Sequence, residues 1–139
     1  FIQVTGQGLE KLSSIFVEFA KNNIEDVTDE TLQKYREAPF RAPMIIILIS
    51  EIKIHSKVPE IEQMLSTAAA AENILLALNS LNYAGMWRTG VFALNKKISK
   101  YLELEENQKV IGYLYVGTAT GKQKKIPEMD TSEFVTEWI

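Results

Sequence analysis

The run "MIIILI", residues 44–49, decides the fold class. It is continuously apolar and rich in isoleucine, too short for most helices, and fits a strand buried on both faces. A second run of the same character, "VIGYLYV" at residues 110–116, is closed by Gly117. Between and around these two strands the pattern turns helical. From Leu9, apolar residues recur as Leu9, Leu12, Phe16 and Phe19 with Ile15 beside them, one face of a helix that ends near Asn22-Asn23. Thr28 or Asp29 caps a second helix, which must stop before Pro39 because proline disfavours the helical region for the residue ahead of it. Phe1 to Val4 reads as a further short strand, running into a turn at Thr5-Gly6-Gln7-Gly8.

The longest element follows a polar loop over Glu51–Lys57. Pro59 suits the first position of a helix, and the pattern then continues to about Leu81 without another Gly or Pro, roughly 34 Å at 1.5 Å per residue. Its centre, Ser66 to Ala71, is built of small residues that let a neighbouring backbone or a flat ligand come close. Asn95 caps a short helix that includes Ile98 and Leu102. The tail becomes polar and finishes with the amphipathic "FVTEWI". Helices and strands are interspersed, with too few strands for a regular βαβ array, so the expected class is α+β. No internal repeat or low-complexity linker divides the chain, and residues 1–139 read as one domain.

Composition narrows the chemistry. The 139 residues are 46% hydrophobic and 24% charged, near the globular average, with a net charge of −3. No basic stretch is interleaved with aromatics, which argues against nucleic acid as a partner. There is no cysteine and one histidine, so thiolate catalysis, zinc–sulfur sites and multi-histidine metal sites drop out, and no metal site is expected. No stretch reaches the roughly 18 apolar residues of a membrane helix, no signal peptide shows at the start, and a reducing cytoplasm is the compatible compartment.

Several motifs fall short. "GTATGK", Gly117 to Lys122, imitates a phosphate loop but has three residues between its glycines where four are needed, and Gln123 follows the lysine. "TGQGLEK" lacks the third glycine of a dinucleotide fingerprint. His55 lies between Ile54 and Ser56 in a polar loop, where a solvated histidine is expected, and Glu103, Glu105 and Glu106 form a charge run of the kind that is usually wet surface. In "KVPEIEQ", Glu62 and Gln63 fall in the first turn of the long helix, where acidic residues favour the dipole. "YAGMWRTG", Tyr83 to Gly90, is different. Its glycines end the helix, yet the exit carries Trp87-Arg88-Thr89, and an arginine at such an exit is equally a fixed cation for a phosphate or an electron-rich ring.

Taken in order, "APFRAPMIII", "KVPEIEQ", the small-residue helix, "GMWRTG" and "KVIGYLYVGT" resemble the FMN-dependent nitroreductase family, most nearly its small NAD(P)H nitroreductase branch. The likeness runs from Phe1 to about Thr118. It implies a mixed, largely antiparallel sheet flanked by helices, and an intertwined homodimer holding an FMN at each of two shared sites. It also implies a ping-pong reaction, in which NADH or NADPH reduces the flavin and a nitroaromatic, quinone or similar small acceptor takes the electrons. By position, Trp87, Arg88 and Thr89 match the Trp-Arg-Ser/Thr segment that contacts FMN. Ala77, Leu78, Asn79, Ser80, Leu81 and Asn82 fall where the nicotinamide nucleotide lies, with Asn82 in place of a glycine. No catalytic acid or base is implied, because the cofactor carries the chemistry.

One departure stands out. The family's N-terminal helix, with an Arg-Arg-Ser type segment that grips the FMN phosphate, and the loop after it have no counterpart before Phe1 in the given sequence: either they precede it in a longer protein or this is a truncated relative, and the truncated case is the one that puts flavin binding in question. The flavin site is therefore expected to be open on that side, since Arg88 alone is too little charge for a phosphate near −2. A non-catalytic flavin-binding or ligand-sensing dimer on the same scaffold is the alternative function, and a plain dimerisation module a third.

Overall fold

The structure, a computed structural model, describes residues 1–121, 125 and 127–139. Strand β1 (Ile2–Thr5) is followed by helices α1 (Gln7–Asn23) and α2 (Asp29–Glu37), strand β2 (Met44–Glu51) and the long helix α3 (Glu60–Ser80). Strand β3 (Ala84–Arg88), a one-turn helix α4 (Ile98–Tyr101) and strand β4 (Gln108–Gly117) complete the layers. The four strands form one sheet in the order β1-β2-β4-β3, and every pairing among the described residues is antiparallel.

The two apolar runs occupy the middle of that sheet, which is why they are apolar on both faces. Ile45 and Ile47 of β2 and Tyr113 and Tyr115 of β4 point into one core, with Leu9, Leu12, Phe16 and Phe19 of α1. Leu48, Leu114 and Val116 point the other way, into a second core closed by α3 through Met64, Ala68, Ala71, Ile74, Leu75 and Leu78. The alternation of β4 is broken once. Leu48 pairs with Gly112 and Ile49 with Val110, so Ile111 is the extra residue of a β-bulge, and Val110 and Ile111 change faces relative to the rest of the strand.

Local chemistry sets the ends of the helices. Thr28 accepts from the Thr31 backbone N–H at 3.2 Å and caps α2, which ends at Glu37; Pro39 follows inside a 3-10 turn over Ala38–Arg41. Asn95 accepts from the Lys97 N–H at 3.0 Å just ahead of α4. Gln63 in the first turn of α3 staples the preceding loop, its amide accepting from the Lys53 N–H at 2.8 Å and donating to the carbonyls of Lys53 and Val58. The phosphate-loop imitation at Gly117–Lys122 extends past β4 into Lys122 and Gln123, which lie outside the described residues. No helix among the described residues is long and apolar enough to cross a membrane.

Candidate functional site

The stretch after α3 departs from the sequence reading. It is not a free helix exit: α3 stops at Ser80, and Ala84–Arg88 becomes the edge strand β3, paired with β4 in the register Gly85↔Val116 through Arg88↔Tyr113. The reversal is a Schellman cap. The Tyr83 N–H reaches the Leu78 carbonyl at 2.8 Å and the Asn82 N–H reaches the Asn79 carbonyl at 3.1 Å. Asn82 itself sits at φ +61°, the left-handed region in which asparagine is the best substitute for glycine.

Strand pairing then decides where each candidate residue points, because successive side chains leave opposite faces. Gly85 and Trp87 face α3. A Cβ on Gly85 would stand 2.4 Å from Leu75 Cδ2, so the helix rests directly on the backbone there. The Trp87 indole lies across Gly112, where a Cβ would meet Nε1 at 2.0 Å, and Nε1 is buried with no hydrogen-bond partner among the described residues. Arg88 leaves the other face, toward Tyr113 and Tyr115. Thr89 is exposed and heads a 3-10 turn over Gly90–Phe92. Gly90, at φ +57°, makes the bend that a β-carbon would strain, and delivers Phe92 into the core. There Phe92 stacks on Phe16 at 3.9 Å, and its carbonyl accepts from the Tyr113 hydroxyl at 2.8 Å.

Trp87, Arg88 and Thr89 thus border a cleft of about 570 Å³ between β3–β4 and the α2 layer. Its floor is aromatic, with Tyr35, Phe92, Tyr113 and Tyr115, and its rim carries Lys34, Arg41 and Arg88 with no carboxylate among the described residues. Burial pushes the phenols of Tyr113 and Tyr115 up from their ordinary range; at Tyr115 the guanidinium groups of Arg41 and Arg88 oppose that rise. An aromatic floor under a cationic rim suits a planar aromatic ligand that carries negative charge, and FMN is such a ligand.

The six positions assigned to the nicotinamide nucleotide lie elsewhere. Ala77, Leu78, Asn79, Ser80, Leu81 and Asn82 form the end of α3 and its cap, at the opposite end of β3 from Arg88, and none lines the cleft. Leu78 packs inward against Gly85, Ser80 donates to the Ala77 carbonyl at 2.8 Å, and Leu81 is exposed. Arg41, Lys34, Tyr35 and Tyr115 are the cleft residues that sequence reasoning missed. Nothing in the spacing of "APFRAP" ties Arg41 to Arg88.

A larger cleft, about 850 Å³, opens at the far end of the sheet between the 52–60 loop and the start of β4. Its polar groups are largely occupied with one another. His55 Nδ1, read from sequence as simply solvated, accepts from the N–H groups of Lys57 and Val58 at 3.1 and 3.0 Å, and Lys109 pairs with Glu60.

Comparison with known proteins gives a consistent picture. The Nitroreductase family model matches residues 1–118. YdjA of Escherichia coli (strain K12), provisionally named an NAD(P)H nitroreductase, is 31% identical over 137 residues, covering 98% of this chain and 74% of the relative. Among solved structures, a nitroreductase-like family protein from Bacillus cereus superposes with a TM-score of 0.70 at 18% identity, over 97% of this chain and 70% of the other. The NADPH:FMN oxidoreductase from Vibrio harveyi, complexed with NAD+, superposes with a TM-score of 0.66 at 19% identity, over 98% and 56%. At these identities the two superpositions speak for the fold.

Proposed function

The chain belongs to the nitroreductase family; from that premise we propose that it is an NAD(P)H-dependent flavin oxidoreductase that works by a ping-pong cycle on bound FMN. NADH or NADPH is oxidised and leaves, and a nitroaromatic, quinone or similar small acceptor then collects the two electrons. The observation that carries the reading is the aromatic cleft at the end of β3, where Arg88 and Thr89 meet a rim of cations. FMN, when bound, supplies the hydride and electron chemistry. Trp87, Arg88 and Thr89 hold and orient it: Arg88 by charge, the exposed Thr89 and Gly90 by offering backbone and hydroxyl groups to the ligand, and Trp87 by fixing the strand to β4 and α3.

The functional unit of this reading is a homodimer in the cytoplasm, where nicotinamide nucleotides are available. Ile61, Leu65 and Leu76 on the outer side of α3 are each more than half exposed, as are Leu81, Tyr83 and Met86 beyond it and Trp138 and Ile139 at the tail. That is more apolar surface than a stable monomer leaves in water. The test is spectroscopic. The purified protein is expected to be yellow, to bleach with NADH or NADPH without oxygen, and to regain its colour on adding a quinone or nitroaromatic. A colour that neither nucleotide bleaches would reduce the protein to a flavin binder, and a colourless protein that takes up no added FMN would refute the reading.

A further inference from the structure

We propose that Tyr113 is a positioning residue for the cleft: its buried hydroxyl holds the turn at residues 89–92 in the shape that presents Thr89 and Gly90 to the flavin. The inference rests on the flavin oxidoreductase reading and deepens it. After β3 ends at Arg88, the chain leaves the sheet and is next tied back at Leu94, whose N–H donates to the Val110 carbonyl at 2.8 Å. Between those points lie the exposed Thr89 and Gly90, the latter at φ +57°. A glycine there leaves the backbone many alternatives, so the shape of the turn must be imposed from outside it. Among the described residues, one side chain reaches into this stretch with a hydrogen bond: the Tyr113 hydroxyl donates to the Phe92 carbonyl at 2.8 Å.

Tyr113 grips the excursion at both ends. It is the cross-strand partner of Arg88, and its hydroxyl reaches the backbone four residues further along, at Phe92. Its ring is 2% exposed and stands edge-on to Phe16 at 5.4 Å, while Phe16 stacks on Phe92 at 3.9 Å. Stacking fixes the plane of the Phe92 ring but tolerates sliding within that plane. A hydrogen bond weakens steeply with angle, so it fixes the carbonyl, and through it the peptides leading back to Gly90. A phenylalanine at 113 would fill nearly the same space, and a buried hydroxyl costs stability unless it is paired. The hydroxyl is therefore not there for volume. What it adds is the placement of one carbonyl in an irregular turn, directly after the residues that border the cleft.

The tie and its purpose can be measured separately. In flavin-free protein, Tyr113→Phe should speed hydrogen exchange at Phe92, Ala93 and Leu94 by about threefold to tenfold, the range that one neutral hydrogen bond sets for the turn's equilibrium. FMN affinity, followed by flavin fluorescence under conditions where the variant is fully folded, should fall by a similar factor, because only molecules with the turn in place bind. Leu9→Ala is the control. It removes buried packing two helical turns before Phe16 on α1, so it should lower stability at least as much while leaving FMN affinity within about twofold. Replacing Tyr113 by p-aminophenylalanine, which keeps an N–H donor at the end of the ring and so leaves the carbonyl paired, should restore both exchange and affinity. Unchanged exchange in Tyr113→Phe, or faster exchange with unchanged FMN affinity, would overturn the inference while the flavin reading stands. An equal loss of affinity in Leu9→Ala, or no recovery with the amino analogue, would overturn it in the same way. An unmodified protein that binds no FMN would overturn both.

Discussion

Replacing Gly112 by alanine should destabilise the protein, although the same change in an ordinary strand would help it. Removing a glycine from an unstrained position stabilises by roughly 0.4–1 kcal/mol through the unfolded chain, and Gly112 has no left-handed φ to forbid a side chain. The new methyl, however, would stand 2.0 Å from Trp87 Nε1 and 2.8 Å from Cδ1 and Cε2. The indole must retreat by about 1.5 Å to regain a contact near 3.5 Å. It is held between β4 and α3, so the retreat either lifts the ring toward solvent or pushes the helix, at about 1–3 kcal/mol for overpacking of this kind. The net expectation is a loss of roughly 1–2 kcal/mol. Urea unfolding of flavin-free protein, followed by tryptophan emission, reads both stability and ring position. Trp138 is fully exposed, so the blue-shifted part of the emission belongs to Trp87. In a Trp87→Ala background the same substitution should become neutral or stabilising, giving a coupling energy of at least about 1 kcal/mol. Unchanged stability and unchanged emission for Gly112→Ala alone would refute the packing argument.

Asn82 tests the helix cap: Asn82→Gly should be neutral or stabilising by a few tenths of a kcal/mol, whereas Asn82→Val should cost about 1–2 kcal/mol at its positive φ, measured by thermal or chemical unfolding. Tyr113 makes stability depend on alkali. Its folded pKa is raised by burial, so its contribution is complete below the ordinary tyrosine pKa near 10 and is lost as pH climbs beyond it; Tyr113→Phe should flatten that alkaline limb while costing about 1–3 kcal/mol at neutral pH through the Phe92 carbonyl left without its donor. The paired substitution Leu65→Glu with Leu76→Glu should convert the proposed dimer, which is expected to bury more than the usual 1,600 Å² or so, into monomers by light scattering. A unmodified protein that is monodisperse and monomeric at micromolar concentration would remove the dimer.

Sequence reading was strongest where one period dominates. The run at 44–49 carries enough apolar side chains on both faces to announce a central strand, and the uninterrupted pattern from Pro59 to Leu81 announces α3 within a residue or two of its ends. Ala84–Arg88 was illegible as a strand because its inward position is Gly85, whose missing side chain is what lets Leu75 and Leu78 approach. That strand exists because β4 pairs with it, which no local window contains. The bulge at Ile111 was hidden for a similar reason, since a run apolar on every residue shows no change of phase. In the cleft, the segment Trp87-Arg88-Thr89 stands out in the sequence as a glycine-bounded exit that bears a cation, and the resemblance is what links it to FMN. Arg41 does not stand out, because only the packing of the α2 layer against the sheet brings it to Arg88's side of the cleft.

Side-chain alternation in β3 leaves two neighbouring residues answering to separate demands. Trp87 is constrained by Gly112 and the α3 backing, so a change there is a change to the scaffold. Arg88, one peptide further on, is constrained by whatever fills the cleft and by little else. A lineage exploring new ligands could therefore vary the second position, together with Arg41 across the gap, without re-solving the packing of the first. Diversification at this strand end would proceed residue by residue, with the tryptophan as an inherited anchor and the cation as the adjustable part.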